Sequence, residues 1–212
     1  MTDALARERK SHIWDRHPDD WYVEDRWVSE RLFASGALEG CKTVLDPACG
    51  LGRIVHSAAV AGFRAGGSDI APRWRDQPHL GIYRVADFIS GAWPTEKNSR
   101  IWAEPDAIVS NPPFKHAEAF ARLALQRARK VVALLLPTTW RHGDERSRWL
   151  ETTPLAEVLD LCPRPSMPPG PVILAGEKPG GGTKDFSFFI WRIGHEGRHS
   201  GGWLRKNDRE AA

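Results

Sequence analysis

The stretch Thr43-Val-Leu-Asp46-Pro47-Ala48-Cys49-Gly50-Leu-Gly52 predicts a buried strand that ends in a glycine-bearing turn. A helix is expected from Arg53 to Ala61, because apolar residues recur along this segment and Gly62 is suited to cap its end. Glycines in such a turn let the backbone approach a ligand closely, and the helix N-terminus offers free N–H groups. The pattern indicates an α/β fold with a ligand-binding loop. Dinucleotide-binding proteins share this kind of turn, although here one glycine of their fingerprint is missing.

A second informative segment joins a short apolar strand, Ala107 to Ser110, to the tetrapeptide Asn111-Pro112-Pro113-Phe114. Two consecutive prolines stiffen the turn and remove two backbone donors, which leaves the Asn111 side-chain oxygen and the Pro112 carbonyl as acceptors. A planar amino group held by two acceptors, with the Phe114 ring stacked beside it, would be favoured in its pyramidal, nucleophilic form. The tetrapeptide therefore predicts a site for an amino nucleophile. The alternative is a plain strand-to-helix turn.

The two segments together, in this order, resemble the class I S-adenosylmethionine-dependent amino-methyltransferases, and in particular the DNA adenine-N6 enzymes. The chain is most similar to the small phage or prophage type of that family over residues 19 to 194. This closer resemblance depends on four further segments: Asp19-Asp-Trp21-Tyr22-Val-Glu24, Gly67-Ser-Asp69-Ile70, Arg164-Pro-Ser166-Met167-Pro-Pro-Gly170 and Gly181-Gly-Thr-Lys-Asp-Phe186 leading into Ser187-Phe-Phe-Ile-Trp191.

The resemblance implies roles for these residues. The cofactor would be S-adenosylmethionine, with its methionine part in the loop from Asp46 to Gly52, its ribose on Asp69 beside Ile70, and its adenine at Asp87-Phe88. The tetrapeptide from Asn111 to Phe114 would be catalytic, and Trp21 to Glu24 would close over the cofactor. Asp69 and Asp87 could instead be turn or cap residues, which is a common use of aspartate after a strand.

Substrate contacts are predicted later in the chain. The rigid, partly apolar segment from Arg164 to Gly170 is expected to contact the target base or its flanks through Arg164, Ser166 and Met167, while the loop 176–183 is flexible. Trp140 and the basic residues after it could line a nucleic-acid backbone, although a solvated charged face is the more common use of such a pattern.

Alternating strands and helices with nearly continuous apolar strands predict a mostly parallel sheet covered by helices on both faces. We expect a Rossmann-like fold with seven strands and an antiparallel strand near the C-terminus. Residues 1–18 should be a flexible segment, residues 19–194 a single methyltransferase domain without a large target-recognition domain, and residues 195–212 a flexible tail. Ligands of such sheets bind beyond the carboxyl ends of the strands, where the candidate residues lie.

Composition excludes several other classes. The chain has 212 residues and no apolar stretch that could span a membrane, and Met1 to Lys10 do not resemble a signal peptide, so we expect a cytoplasmic protein. Its three cysteines predict neither disulfides nor a metal site. A net charge of +3 is too small to indicate nucleic acid by itself.

The main hypothesis is adenine-N6 methylation of DNA. The same tetrapeptide also occurs in rRNA guanine-N2 and protein glutamine methyltransferases, so an RNA or protein substrate is the alternative. A noncatalytic module that binds cofactor or nucleic acid is a third reading, and the intact loop and tetrapeptide argue against it. Oligomeric state, target sequence and strand preference do not follow from the sequence.

Overall fold

The computed structural model describes residues 14–15, 17–74, 81–90 and 100–207. Its helices are α1 (Arg26–Ala34), α2 (Arg53–Val60), α3 (Arg100–Ala103), α4 (Ala117–Arg127), α5 (Asp144–Glu151) and α6 (Gly170–Leu174). Its strands are β1 (Thr43–Asp46), β2 (Arg64–Asp69), β3 (Ile82–Val85), β4 (Ala107–Ser110), β5 (Val131–Pro137), β6 (Leu155–Cys162), β7 (Phe186–Arg192) and β8 (Ser200–Arg205). Short 3-10 turns occupy Phe114–His116 and Thr138–His142.

The strands of the described residues form one sheet in the order β3-β2-β1-β4-β5-β7-β6-β8. The strands from β3 to β5 are parallel, and β7 runs antiparallel to both of its neighbours. The predicted Rossmann-like class, with a mostly parallel sheet and an antiparallel strand near the C-terminus, is confirmed.

The sheet is buried on both faces, as the apolar strands predicted. Successive residues of β1 point to opposite sides, so Val44 packs in one core cluster with α1 and α2 while Leu45 packs in the other with α4. Both side chains are fully buried. Because both faces of the sheet are covered, polar side chains can come together at the carboxyl edge of the parallel strands.

The C-terminal region differs from the sequence prediction. We expected seven strands and a flexible tail from residue 195, but Ser200–Arg205 form an eighth strand parallel to β6. The strand forms because the outer edge of β6 supplies backbone partners and the Leu204 side chain packs into the core. Residues 1–13 and 208–212, for which flexibility was also predicted, lie outside the described residues.

Several helix boundaries also differ. Apolar periodicity in the sequence predicts helices over residues 24–34 and 116–130, but the first begins at Arg26 and the second ends at Arg127. The connection between β6 and β7 is rich in proline and glycine, which predicts no helix, but it contains α6. Helices α3 and α5 were not predicted. No helix of the described residues is long and apolar enough to cross a membrane.

Candidate active site

A cavity of about 340 Å³ opens at the carboxyl edge of the sheet. Its walls come from the segment before α1, the loop after β1, and the residues that follow β2, β3 and β4. Polar side chains from these five segments face it, and those that matter below are Glu24, Asp46, Arg53, Asp69, Asp87 and Asn111. A cavity of this size can hold a small organic ligand.

Asp46 ends β1 and ties it to the neighbouring strand. One carboxylate oxygen accepts hydrogen bonds from the Ser110 hydroxyl at 2.7 Å and from the Ala48 N–H at 3.1 Å. Burial raises the pKa of Asp46 well above its usual range, although both hydrogen bonds act in the opposite direction. The carboxyl group is therefore oriented by the protein and would be stabilised in its charged form by a cation in the cavity.

Asp69 ends β2 and holds the loop that follows β1. Its oxygens accept the Gly50 N–H at 2.9 Å and the Arg73 guanidinium at 2.7 Å. Arg73 also pairs with Asp19 at 2.7 Å and lies 4.8 Å from the centre of the Trp21 ring. Burial raises the pKa of Asp69, and Arg73 opposes that rise.

Asn111 follows β4 directly, and its side-chain amide faces the segment before α1. Its Nδ2 donates to the Glu24 carboxylate at 3.0 Å and to the Tyr22 carbonyl at 3.2 Å. Among the described residues, no group donates to Asn111 Oδ1 or to the Pro112 carbonyl. The turn thus keeps two acceptors uncommitted, as the paired prolines predicted.

Glu24 is buried beside Asn111, and Arg53 contacts its backbone. The Glu24 side chain is 5% exposed, and burial raises its pKa while its hydrogen bonds and Arg53 oppose that rise. The Arg53 guanidinium donates to the Glu24 backbone carbonyl. Burial also lowers the pKa of Arg53.

The segment before α1 crosses the cavity and is attached on both sides. Val23 donates to the Pro168 carbonyl at 2.9 Å, and Gly170 donates to the Trp21 carbonyl at 3.1 Å. On the other side the Asp20 carboxylate accepts the Lys115 N–H at 3.0 Å. The Tyr22 ring lies nearly parallel to Phe114, with their centres 6.0 Å apart.

Comparison with solved structures identifies the architecture. The chain superposes on the methyltransferase subunit of a type I restriction-modification system from Streptococcus thermophilus with a TM-score of 0.59 and 14% identity. That match covers 84% of this chain and 45% of the subunit, so the chain spans less than half of its length.

A 23S rRNA methyltransferase, ErmE, matches with a TM-score of 0.53 and 18% identity over 84% of this chain and 72% of that one. This chain has the class I methyltransferase fold. Its sequence matches no protein-family model and no curated protein sequence.

Within the methyltransferase fold, most of the predicted cofactor residues come together around the cavity. Its lining includes Asp46, Pro47, Ala48, Cys49, Gly50, Asp69, Ile70, Asp87, Phe88, Asn111 and Pro113. Gly52 lies just behind the loop, where its left-handed φ of 79° allows the turn into α2. Pro112 is buried behind Asn111.

Phe114 was predicted to stack beside the target amino group, but it is not among the residues that line the cavity. Its ring packs with Tyr22 and also with Phe186, whose centre is 5.7 Å away. A target base could stack on Phe114 only if one of those rings moved. The local sequence could not reveal this, because both partners come from distant parts of the chain.

The four residues predicted to contact the substrate do not share one site. Trp140 is 8% exposed in the core, where it packs against Phe189, and its position does not support a substrate contact. Met167 also packs against the core. Arg164 and Ser166 line a separate cavity of about 760 Å³, together with Asp25, Trp27, Lys206 and the glycines at 180–182.

Sequence reasoning gave Arg53 and Arg73 no role in the site, and it placed Glu24 only in the segment predicted to close over the cofactor. Arg53 carries a signal that could have been noticed, because a cation in the first turn of a helix is disfavoured by the helix dipole. Glu24 lies in one of the segments that carried the resemblance, but its partner Asn111 is far away in sequence. Only the folded structure brings the two together.

Proposed function

We propose that this protein transfers a methyl group from S-adenosylmethionine to an exocyclic amino nitrogen, and that its substrate is adenine N6 in DNA. The observation that carries the proposal is the uncommitted acceptor Asn111 Oδ1 on the wall of a carboxylate-lined cavity, with the Pro112 carbonyl, to which no described residue donates, next to it in the chain. The class I methyltransferase fold supports the same reading.

The cavity suits the charges of S-adenosylmethionine, which has a sulfonium, an ammonium and a carboxylate group. The buried carboxyl groups of Glu24, Asp46 and Asp69 favour the two cationic groups, and the Arg53 guanidinium is available to the carboxylate. By the family resemblance, the loop from Asp46 to Gly52 would hold the methionine part. Asp69 with Ile70 would hold the ribose, and Asp87 with Phe88 the adenine.

The ribose role of Asp69 requires a rearrangement or a shared contact. Both of its oxygens already accept hydrogen bonds, from Gly50 and from Arg73. Asp87 differs, because Oδ1 accepts the Ile89 and Ser90 N–H groups while no described residue donates to its other oxygen. Asp87 is therefore ready to accept a hydrogen bond from a ligand.

When bound, S-adenosylmethionine supplies an electrophilic methyl group on a good leaving group. Asn111 Oδ1 and the Pro112 carbonyl accept the two N–H groups of the target, which directs the nitrogen lone pair away from the ring plane. The nitrogen–carbon bond then forms as the carbon–sulfur bond breaks, and the amino group loses one proton to solvent. The protein contributes alignment and exclusion of water rather than a strong base.

A nucleic-acid substrate is favoured by the second cavity. Lys206 and Arg164 line it, beside a wall of glycine backbone that a sugar-phosphate chain can approach, and Arg164 also pairs with the Asp185 carboxylate at 2.7 Å. Its acidic residue, Asp25, is already engaged by the Trp27 indole and the Ser166 N–H. A base within a duplex would have to be flipped out to reach Asn111.

The test is to incubate the protein with S-adenosylmethionine and separate pools of duplex DNA, single-stranded DNA, rRNA and protein, and to analyse digests by mass spectrometry. We expect N6-methyladenine in DNA with the wild type, and a rate lower by about 100- to 1000-fold with Asn111→Ala, as for the loss of one transition-state contact. Gln126→Ala, which removes an exposed amide on α4, is the matched control and should retain activity. Methyl groups found only in RNA or protein would show that the substrate is not DNA. Absence of methyl groups from every pool would overturn the proposal.

A further inference from the structure

We infer that Glu24 is a positioning residue that orients the Asn111 amide so that its oxygen, and not its nitrogen, faces the methyl acceptor. This inference rests on the proposed function, because it concerns how the same turn receives an amino group. It assigns a role in methyl transfer to a residue outside both the cofactor loop and the tetrapeptide.

The contacts of the Asn111 amide nitrogen fix its orientation. An amide NH2 has two hydrogens, and Nδ2 has two acceptors within reach, the Glu24 carboxylate at 3.0 Å and the Tyr22 carbonyl at 3.2 Å. If the amide were turned over while Glu24 is ionised, Asn111 Oδ1 would face two oxygens without a hydrogen between them. The neighbours therefore select one orientation, in which Oδ1 is left for a donor from outside the protein.

Glu24 is itself held in place, so it can impose this orientation. Its backbone carbonyl accepts the Arg53 guanidinium, the preceding residue is bonded to Pro168, and the following residue, Asp25, begins the turn into α1. The side chain is almost completely buried. A buried, fixed acceptor loses little conformational entropy when it binds the amide.

The charge of the Glu24 carboxylate polarises the Asn111 amide more strongly than a neutral acceptor would. Its hydrogen bond to Nδ2 is charge-assisted and polarises the amide, which places more negative charge on Asn111 Oδ1. That oxygen then becomes a better acceptor for an amino group that gains positive charge during methyl transfer. The charged groups facing Glu24 are Arg53, Asp25 and, across the cavity, Asp46.

A double-mutant cycle tests the inference. We compare the wild type, E24L, N111A and E24L/N111A, measuring kcat, the KM for the methyl acceptor, the affinity for S-adenosylmethionine by calorimetry, and thermal melting. E24L should lower kcat by about 10- to 100-fold, approaching the loss caused by removing one transition-state acceptor. In the N111A background the same substitution should cause no further loss of kcat, because Glu24 acts through the amide.

A conservative exchange keeps the test decisive if the leucine variant folds poorly. E24Q retains an acceptor for Asn111 Nδ2, so kcat should stay within about tenfold of the wild type, the range expected for one hydrogen bond. N111D places a second acid against Glu24, and its loss of kcat should be smaller when E24Q is also present, because the glutamine amide can donate to the new carboxylate.

The outcomes separate the two proposals. Absence of methyl transfer by the wild type to every amino acceptor would overturn the proposed function. The positioning role is wrong if the wild type is active but E24L lowers kcat further in the N111A background. It is also wrong if adding E24Q does not raise the kcat of N111D. A lowered kcat in E24L that disappears in the N111A background, together with an E24Q variant close to the wild type, would establish it.

Discussion

Asp69 and Gly50 are joined by a hydrogen bond of 2.9 Å, from the backbone N–H of Gly50 to a carboxylate oxygen of Asp69. The contact connects the end of β2 to the loop that follows β1. The loop after β1 and Asp69, the residue proposed to bind the ribose, therefore form one preorganised unit, and the position of each depends on the other.

Replacing Asp69 should disturb both parts of this unit. Asp69→Ala removes the acceptor for Gly50 and leaves Arg73 without its buried partner, so we expect the affinity for S-adenosylmethionine to fall by about 10- to 100-fold, as for a lost charged hydrogen bond. Asp69→Asn should cost less, because its oxygen can still accept the Gly50 N–H. Isothermal calorimetry measures both, and equal affinities for the two variants and the wild type would contradict this role.

The close approach of Trp21 to Gly170 gives a second prediction. A Cβ added at Gly170 would lie 2.1 Å from Cε2 of the Trp21 ring, so the ring must move. Gly170→Ala should lower the free energy of unfolding by about 1–3 kcal/mol, the usual cost of overpacking.

Denaturant unfolding measures this cost, and Gly201→Ala is its control. Gly201 has nothing within 4 Å of an added Cβ and its backbone is not strained, so its substitution should be nearly neutral. A neutral Gly170→Ala variant would show that Trp21 is not held against α6. A methyl-transfer assay on the same variant would show whether moving Trp21 also affects the cavity.

The buried carboxyl groups predict a specific dependence on pH. Burial raises the pKa of Asp46 and Asp69 in the folded protein, so the folded state keeps protons that the unfolded state has released. Their contribution to stability is present below the ordinary carboxyl pKa and is lost as the pH rises through the raised values. The ligand-free protein should therefore gain stability from these groups on mild acidification from neutral pH.

Binding of the cationic cofactor should favour the charged form of these carboxyl groups, so protons should be released. Calorimetric titration in buffers of different ionisation enthalpy measures the number released, and a value of zero near neutral pH would contradict the linkage. Asp46→Asn keeps an oxygen for Ser110 and Ala48 but removes the charge. It should raise the melting temperature at neutral pH while weakening cofactor binding.

The second cavity predicts how nucleic acid binds. Arg164→Ala and Lys206→Ala should each weaken binding to DNA and lower the slope of log affinity against log salt by about one. The affinity for S-adenosylmethionine should not change. Arg148→Ala, at an exposed position of α5, is the control of equal charge. If all three variants bind DNA alike, the cavity is not a phosphate-binding surface.

Much of the fold could be predicted from local sequence, because the strands before Asp46 and Asn111 are short, apolar and followed by turns with proline or glycine. The rule that ligands bind beyond the carboxyl ends of parallel strands then brought the candidate residues to one edge. What escaped prediction depends on distant partners. Glu24 acquires its position from Asn111 and Arg53, and β8 forms because β6 offers an open edge.

Trp140 shows a different limit of sequence reasoning. It follows β5 at the ligand-binding edge and is flanked by basic residues, which resembles a nucleic-acid contact. In the structure the 3-10 turn Thr138–His142 directs its ring inward against Phe189, while Arg146 donates to its carbonyl. Position along the chain predicts the end of the strand, but the direction of a side chain in the following turn depends on packing.

The neighbouring residues Glu24 and Asp25 line different cavities, Glu24 the one at the carboxyl edge of the sheet and Asp25 the one that Arg164 and Lys206 also line. Their α-carbons are about 3.8 Å apart, as for any consecutive pair. The chain therefore has no spare length at this junction with which to absorb an insertion or a deletion.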